Sequence, residues 1–171
     1  MIKEKAVLQT SRIETPLGSM LIIADEQSLY LLEFADRPAL EKTLERFRKK
    51  TQLPIMQGKP APALQIEEEL KEYFSGSLPA FKTPLQRIGS PFQKRVWEEL
   101  QKIPRGETRS YSEIAKAIGK PSAFRAVALA NGANQIAIVI PCHRVINSNG
   151  DLGGYGGGIK KKEWLLNHER K

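Results

Sequence analysis

A single cysteine, Cys142, stands in a chain of 171 residues. No internal disulfide can therefore close this fold, and a structural zinc site of the Cys-rich kind is out of reach. With two histidines to add, a metal centre would need a carboxylate-heavy ligand set, so the chain is read as holding no metal and no cofactor. Burial of apolar residues must hold it together; these make up 40% of the chain beside 27% charged residues, an ordinary globular mix that argues against disorder. No apolar run approaches the ~20 residues that span a bilayer. The N-terminal stretch MIKEKAVLQT has basic residues but no apolar segment fit for a signal peptide. The sequence predicts an unprocessed cytoplasmic protein with no membrane partner.

The first half reads as a β-meander followed by helices. The runs at 7–15, 19–25 and 28–34 are short and apolar-rich, with Pro16-Leu17-Gly18 and Asp25-Glu26-Gln27 as turns between them. Pro38 stands where a helix can start, with Leu40, Leu44 and Phe47 on one face. TQLPIMQGKPAPA reads as a loop. Leu64, Ile66, Leu70, Tyr73 and Phe74 then mark a second amphipathic helix ending at Ser75-Gly76. Nothing in this half clusters into a reactive site, and it is read as scaffold.

Charge divides the chain unevenly. Residues 1–86 hold 12 Lys/Arg against 12 Asp/Glu, and residues 87–171 hold 15 against 7, so the whole excess of +8 lies in the second half. That asymmetry suits either a polyanionic partner or a merely soluble basic surface. Ser90-Pro91-Phe92-Gln93 opens a helix there, with a capping serine, proline at the first position and glutamine to complete a capping box. Residues 111–118 predict a short helix stopped at Gly119. After Lys120-Pro121, Ser122 can cap a second helix, AFRAVALA, ending at Asn131-Gly132. This helix–turn–helix pattern points to DNA, with an αα-hairpin used only for packing as the alternative. Arg125 is the one long polar side chain of the second helix, too few to read base edges; nonspecific binding fits better.

The apolar run Ile136 to Ile140 predicts a buried strand, ended by Pro141. Cys142, His143 and Arg144 follow at once. A thiol needs a base or a positive charge nearby to become a nucleophile. Neighbours on a strand point to opposite faces, so either the chain turns after Pro141 or a water links Cys142 to His143. Glu169, in the C-terminal helix, is placed to orient the imidazole. The alternative is a buried core thiol. The run GGYGGG at 153–158 fits no dinucleotide or P-loop pattern and is read as the wall of a pocket for a flat ligand.

Ile140-Pro141-Cys142-His143-Arg144-Val145 resembles the hallmark of the O6-alkylguanine-DNA alkyltransferases, the methylated-DNA–protein-cysteine methyltransferases. The likeness runs through Ser110-Tyr111, Arg125-Ala126-Val127, Asn134, the Gly-Tyr-Gly loop and Lys162-Glu163-Trp164-Leu165-Leu166, covering roughly residues 90–170. It implies that Cys142 takes the alkyl group from guanine O6 and keeps it. His143, through a water, would accept the thiol proton, with Glu169 holding the ring. Tyr111 would donate toward the leaving guanine and crowd the adjacent phosphate, and Arg125 would fill the space of the flipped base. Asn134 would tie the turn before the cysteine. Ser122, Ala123 and Ala126 would line the duplex contact in the minor groove, and Val145, Tyr155, Gly156 and Gly157 the base pocket. The implied partner is duplex DNA carrying O6-alkylguanine, with O4-alkylthymine left open, acted on by a monomer that needs no protein partner. Glycine at 156, where many relatives carry a larger side chain, leaves tolerance of bulky alkyl groups open.

Residues and resemblance together predict a mixed α/β (α+β) fold. Residues 1–86 would form a small antiparallel β-meander with helices, and residues 87–171 a mainly helical, winged-helix-like domain containing the helix–turn–helix. Three rivals remain at this level. A non-catalytic sensor of alkylated DNA lacks the nucleophile that Cys142 supplies here. A sequence-specific transcription factor would want a richer second helix. A Cys–His hydrolase would need an oxyanion hole that no motif announces.

Overall fold

The computed structural model describes residues 7–171; the basic Lys3 and Lys5 of the N-terminal stretch lie outside the described residues. The chain forms two units, Met1–Ile88 and Gly89–Lys171. The fold is mixed α/β, with a sheet in the first unit and mostly helices in the second, as the sequence predicts.

In the first unit β1 (Leu8–Thr15), β2 (Gly18–Ala24) and β3 (Leu29–Phe34) form an antiparallel meander. The β1–β2 turn is closed by Thr15, whose hydroxyl donates to the Gly18 carbonyl at 2.7 Å. Asp25 closes the next turn by accepting from the amides of Gln27 and Ser28, both at 2.8 Å. α1 (Leu40–Thr51) and α2 (Ala61–Ser75) follow, with β4 (Ile55–Gln57) between them. Leu8, Ile23, Leu31 and Phe47 make one buried cluster between sheet and α1.

Three local expectations change here. β4 was expected as loop; it pairs parallel with β1, Leu8 opposite Ile55 and Thr10 opposite Gln57. Three residues between prolines show no period, but β1 offers an edge of unpaired backbone groups that such a segment satisfies. Pro38 lies before α1 rather than in it, since Ala39 is the N-cap. Leu64 is exposed, because α2 buries Ala63, Ile66, Leu70 and Tyr73 instead. The same buried face carries Glu69, whose carboxylate accepts from the amides of Lys82 (2.7 Å) and Thr83 (3.1 Å) and from the Thr83 hydroxyl, tying the segment after α2 to the helix.

The second unit begins with α3 (Pro91–Leu100), opened by the full Ser90–Gln93 capping box, and buries Val96, Trp97 and Leu100. β5 (Arg109–Ser110) leads into α4 (Tyr111–Ala117), which also has a complete capping box, Ser110 with Glu113. Gly119, at φ +76°, ends α4: its amide reaches the Lys116 carbonyl and that of Lys120 the Ala115 carbonyl, a Schellman motif. α5 (Phe124–Gly132) follows. Ser122 does not cap it. The N-cap is Ala123, with no side-chain hydrogen bond, and Ser122 sits one residue earlier in the preceding turn. β6 (Val145–Ile146) pairs parallel with β5, and α6 (Ile159–Glu169) closes the unit. No helix among the described residues is long and apolar enough to cross a membrane.

The strand expected at 136–140 is absent. These residues are all buried but fold into consecutive turns, with Ile138 at φ +71°. Asn134 explains why. Its Oδ1 accepts from the Ile136 amide at 2.9 Å and its Nδ2 donates to the Ile140 carbonyl at 2.8 Å, so one amide side chain satisfies both ends of the segment. An unbroken apolar run reports burial alone and does not distinguish a strand from a buried turn.

Candidate active site around Cys142

Cys142 opens a single 3-10 turn, Cys142–Arg144, entered through Pro141. The chain thus turns after the proline, and the strand geometry that would have separated Cys142 from His143 does not arise. Cys142 is buried, as is Pro141 before it. Two side chains fix this turn from the α5 side. Asn134 holds the Ile140 carbonyl, and Asn131, near the end of α5, donates from Nδ2 to the carbonyl of Cys142 at 3.3 Å. Trp97 anchors the end of α5 in turn, its Nε1 donating to the Ala130 carbonyl at 2.8 Å.

His143 is fully buried, and its Nε2 lies 2.8 Å from Oε2 of Glu169 on α6. Arg144 grips the same carboxylate twice, Nε to Oε1 at 2.8 Å and a terminal nitrogen to Oε2 at 2.9 Å, and donates to the Ile103 carbonyl at 2.7 Å. Burial by itself would raise the Glu169 pKa, but the hydrogen bonds from His143 and Arg144 override it and hold the carboxyl well below the usual carboxylate range. His143 shifts down: burial disfavours its charged form, Glu169 opposes that, and the charges of Arg144 and Lys162 add to it. At neutral pH the site therefore holds a neutral imidazole against an ionised carboxylate. A carboxylate only accepts, so Nε2 carries the ring proton and Nδ1 keeps its lone pair. That Nδ1 is buried with no hydrogen-bond partner from the protein. It is the atom left to take a proton.

The guanidinium that the sequence places beside the thiol is committed to Glu169 instead, a role the sequence reading missed. It missed Lys162 as well. Lys162 is fully buried on α6, and its ammonium donates to the carbonyls of Val145 (2.6 Å), Leu152 and Gly154 (3.2 Å). Burial lowers its pKa to about 8, with the charge of Cys142 pulling the other way. One cation thus gathers β6 and the glycine loop. Its signal was in the sequence: Lys162, Leu165, Leu166 and Glu169 fall at i, i+3, i+4 and i+7, the buried stripe of α6.

Tyr111, the first residue of α4, is half-buried, and its pKa is raised by burial and then by the charge of Cys142. Its hydroxyl lies 3.5 Å from where a Cβ on Gly153 would stand, an ordinary contact; it is the φ of +72° at Gly153, with Asn147 Oδ1 at 3.3 Å, that favours glycine there. Val145 is fully buried directly after the Cys142–Arg144 turn, Tyr155 and Gly157 are partly buried in the loop, and Gly156 is exposed. Arg125 and Ala126 are exposed on α5, Ala123 is partly buried at its start, and Ser122 is exposed before it. Two exposed apolar side chains of α5 were overlooked among its alanines, Phe124 and Leu129.

Comparison with known proteins gives a consistent picture. The family model described as "6-O-methylguanine DNA methyltransferase, ribonuclease-like domain" matches residues 9–86, and "6-O-methylguanine DNA methyltransferase, DNA binding domain" matches residues 91–171. The methylated-DNA–protein-cysteine methyltransferase of Shigella flexneri is 41% identical over 168 residues, covering 95% of either chain. That of Methanosarcina barkeri is 44% identical over 159 residues, 92% of this chain and 94% of the relative. Among solved structures, Mycobacterium tuberculosis OGT in complex with DNA superposes with a TM-score of 0.79 at 40% identity, covering 95% of this chain and 92% of that one.

Proposed function

The chain belongs to the 6-O-methylguanine DNA methyltransferase family, and on that premise we propose that it repairs alkylated DNA by moving the alkyl group from guanine O6 onto its own Cys142. The observation that carries this reading is the buried His143, fastened at Nε2 to Glu169 at 2.8 Å and open at Nδ1, in the same turn as the chain's one thiol.

The reaction is a displacement at carbon. His143 Nδ1 takes the Cys142 proton through a water, the thiolate attacks the alkyl carbon, and the C–O6 bond breaks with its electrons leaving on guanine. Tyr111, whose pKa is raised, donates toward the departing base and recovers a proton from the His143 imidazolium by way of water, so the proton lost by the thiol is in net the one gained by guanine. Arg144 and Glu169 hold the imidazole in the tautomer this requires. Nothing in the scheme reverses the thioether formed on Cys142, so each molecule acts once.

Reaching guanine O6 inside a duplex requires extrusion of the nucleotide, at a cost of a few kcal/mol. Arg125, exposed on α5, would fill the vacated stack. Ser122, Ala123 and Ala126 offer little bulk to a minor groove and Tyr111 crowds the phosphate beside the extruded base. Val145, Tyr155, Gly156 and Gly157 line the pocket that receives it. The partner is double-stranded DNA carrying O6-alkylguanine, with O4-alkylthymine as a second substrate to be tried. The protein works as a monomer in the cytoplasm.

Digesting a duplex that carries one O6-methylguanine, after incubation with the protein, tests the reading. The expected product is unmodified guanine, formed by the wild type and not by Cys142→Ser. Binding of the same duplex by Cys142→Ser should stay near the wild-type value, because the thiol contacts no phosphate. Guanine restored by Cys142→Ser would refute the acceptor assignment, and a collapse of DNA binding would make the cysteine structural.

A further inference from the structure

We propose that Leu129 is an apolar contact with the DNA minor groove, set one helical turn beyond Arg125; this rests on the reading of α5 as the helix that meets the duplex. α5 buries Val127, Ala130 and Asn131. Arg125 and Leu129 stand at i and i+4 on its opposite side, and so form one stripe. Leu129 is 78% exposed, the most exposed large apolar side chain among the described residues. At the other flank of Arg125, Phe124 is 44% exposed, and the guanidinium lies 5.9 Å from its ring centre.

A leucine this exposed contributes little to packing within the unit, and alanine, which occupies three of the nine positions of α5, forms helix at least as well. Its neighbours Ala126, Ala128 and Gly132 are small, so the leucine stands proud of the helix surface. Any groove that admits the helix meets the Leu129 methyl groups early. The sugars and base edges of a minor groove offer them an apolar surface, and such contact tolerates any sequence. The occupant is argued from charge. This half of the chain carries the whole excess of +8, which favours a polyanion over a second protein. Phosphate contacts weaken with salt, whereas burial of a leucine does not. Leu129 therefore supplies affinity of the kind that salt leaves alone.

The test measures duplex affinity across a salt series for wild type, Leu129→Ala, Leu129→Met and Arg125→Ala, together with each variant's reaction with free O6-methylguanine. Partial burial of one leucine corresponds to a loss of about fivefold in Leu129→Ala, expected with an unchanged salt slope, recovery in Leu129→Met, and an unchanged rate with the free base. Unchanged affinity in Leu129→Ala while Arg125→Ala loses duplex repair would overturn the Leu129 proposal and leave α5 as the DNA helix. If neither substitution affects the duplex, the reading of α5 itself fails. A slower free-base reaction in Leu129→Ala, or a loss confined to self-association in sedimentation, would also overturn the proposal, the latter in favour of a contact between copies.

Discussion

His143 is the residue on which the proposed chemistry turns, and its burial and partners give it a pH signature. Burial holds its pKa below 6.5, so the folded protein binds a proton there less readily than the unfolded chain does. Below pH 6.5 the unfolded state therefore takes up more protons, and the stability that His143 contributes above that pH is lost as pH falls toward its folded pKa. Glu169 acts in the same direction lower down. Its depressed pKa contributes stability that is present above the ordinary 4.5 and is lost on acidification below it. The single-turnover rate should accordingly hold from pH 7 through 6.5 and decline only below, once the imidazole charges. A rate that halves at pH 6.5 would place the histidine in an ordinary solvated setting and remove it from the relay. The pairing of His143 with Glu169 was open to a sequence reader because the two residue types fit one task. The orphaned Nδ1 was not, because only the fold shows which ring nitrogen is already in use.

At the level of elements, α6 does more than its composition suggests. Its buried stripe carries both Glu169 and Lys162, so one helix orients the imidazole and gathers the loop proposed to receive guanine. Lys162→Met keeps the length and removes the donor, leaving the carbonyls of Val145, Leu152 and Gly154 short of one shared partner. Of these the Val145 carbonyl is the buried one, and a buried acceptor left unpaired costs about 1–3 kcal/mol. The expected result is a weaker half-saturation for free O6-methylguanine, by at least tenfold, with secondary structure retained by circular dichroism. Wild-type kinetics in that variant would show that the loop holds its shape without the lysine. Helix starts were legible wherever a side chain made them, as at Ser90, and the Ser110–Glu113 box could have been found by the same rule. The start of α5 was not, since Ala123 caps it with backbone alone. The run at 136–140 misled for a related reason: Asn134 diverts the backbone bonds that a strand would have used. β4 escaped because three residues carry no period, and their pairing depends on an edge that exists only once β1 has folded.

For the molecule as a whole, the two halves differ in charge. Residues 1–86 are neutral in sum, while residues 87–171 carry Cys142, the His143–Glu169 pair, the glycine loop and all the net positive charge. The mixed α/β class and the division into a sheet-bearing and a helical half could be read from hydrophobic period and turn residues. Family membership followed from the order of short motifs around Cys142, and matches over residues 9–86 and 91–171 extend it across both halves. The central claim is that Cys142 accepts one alkyl group and is spent. Intact mass spectrometry with peptide mapping, after incubation with excess duplex carrying O6-methylguanine, tests it most directly. The account predicts a gain equal to one methylene, located on Cys142, which stops at one per chain however much substrate remains. Restored guanine exceeding one per chain, or a protein of unchanged mass, would contradict it.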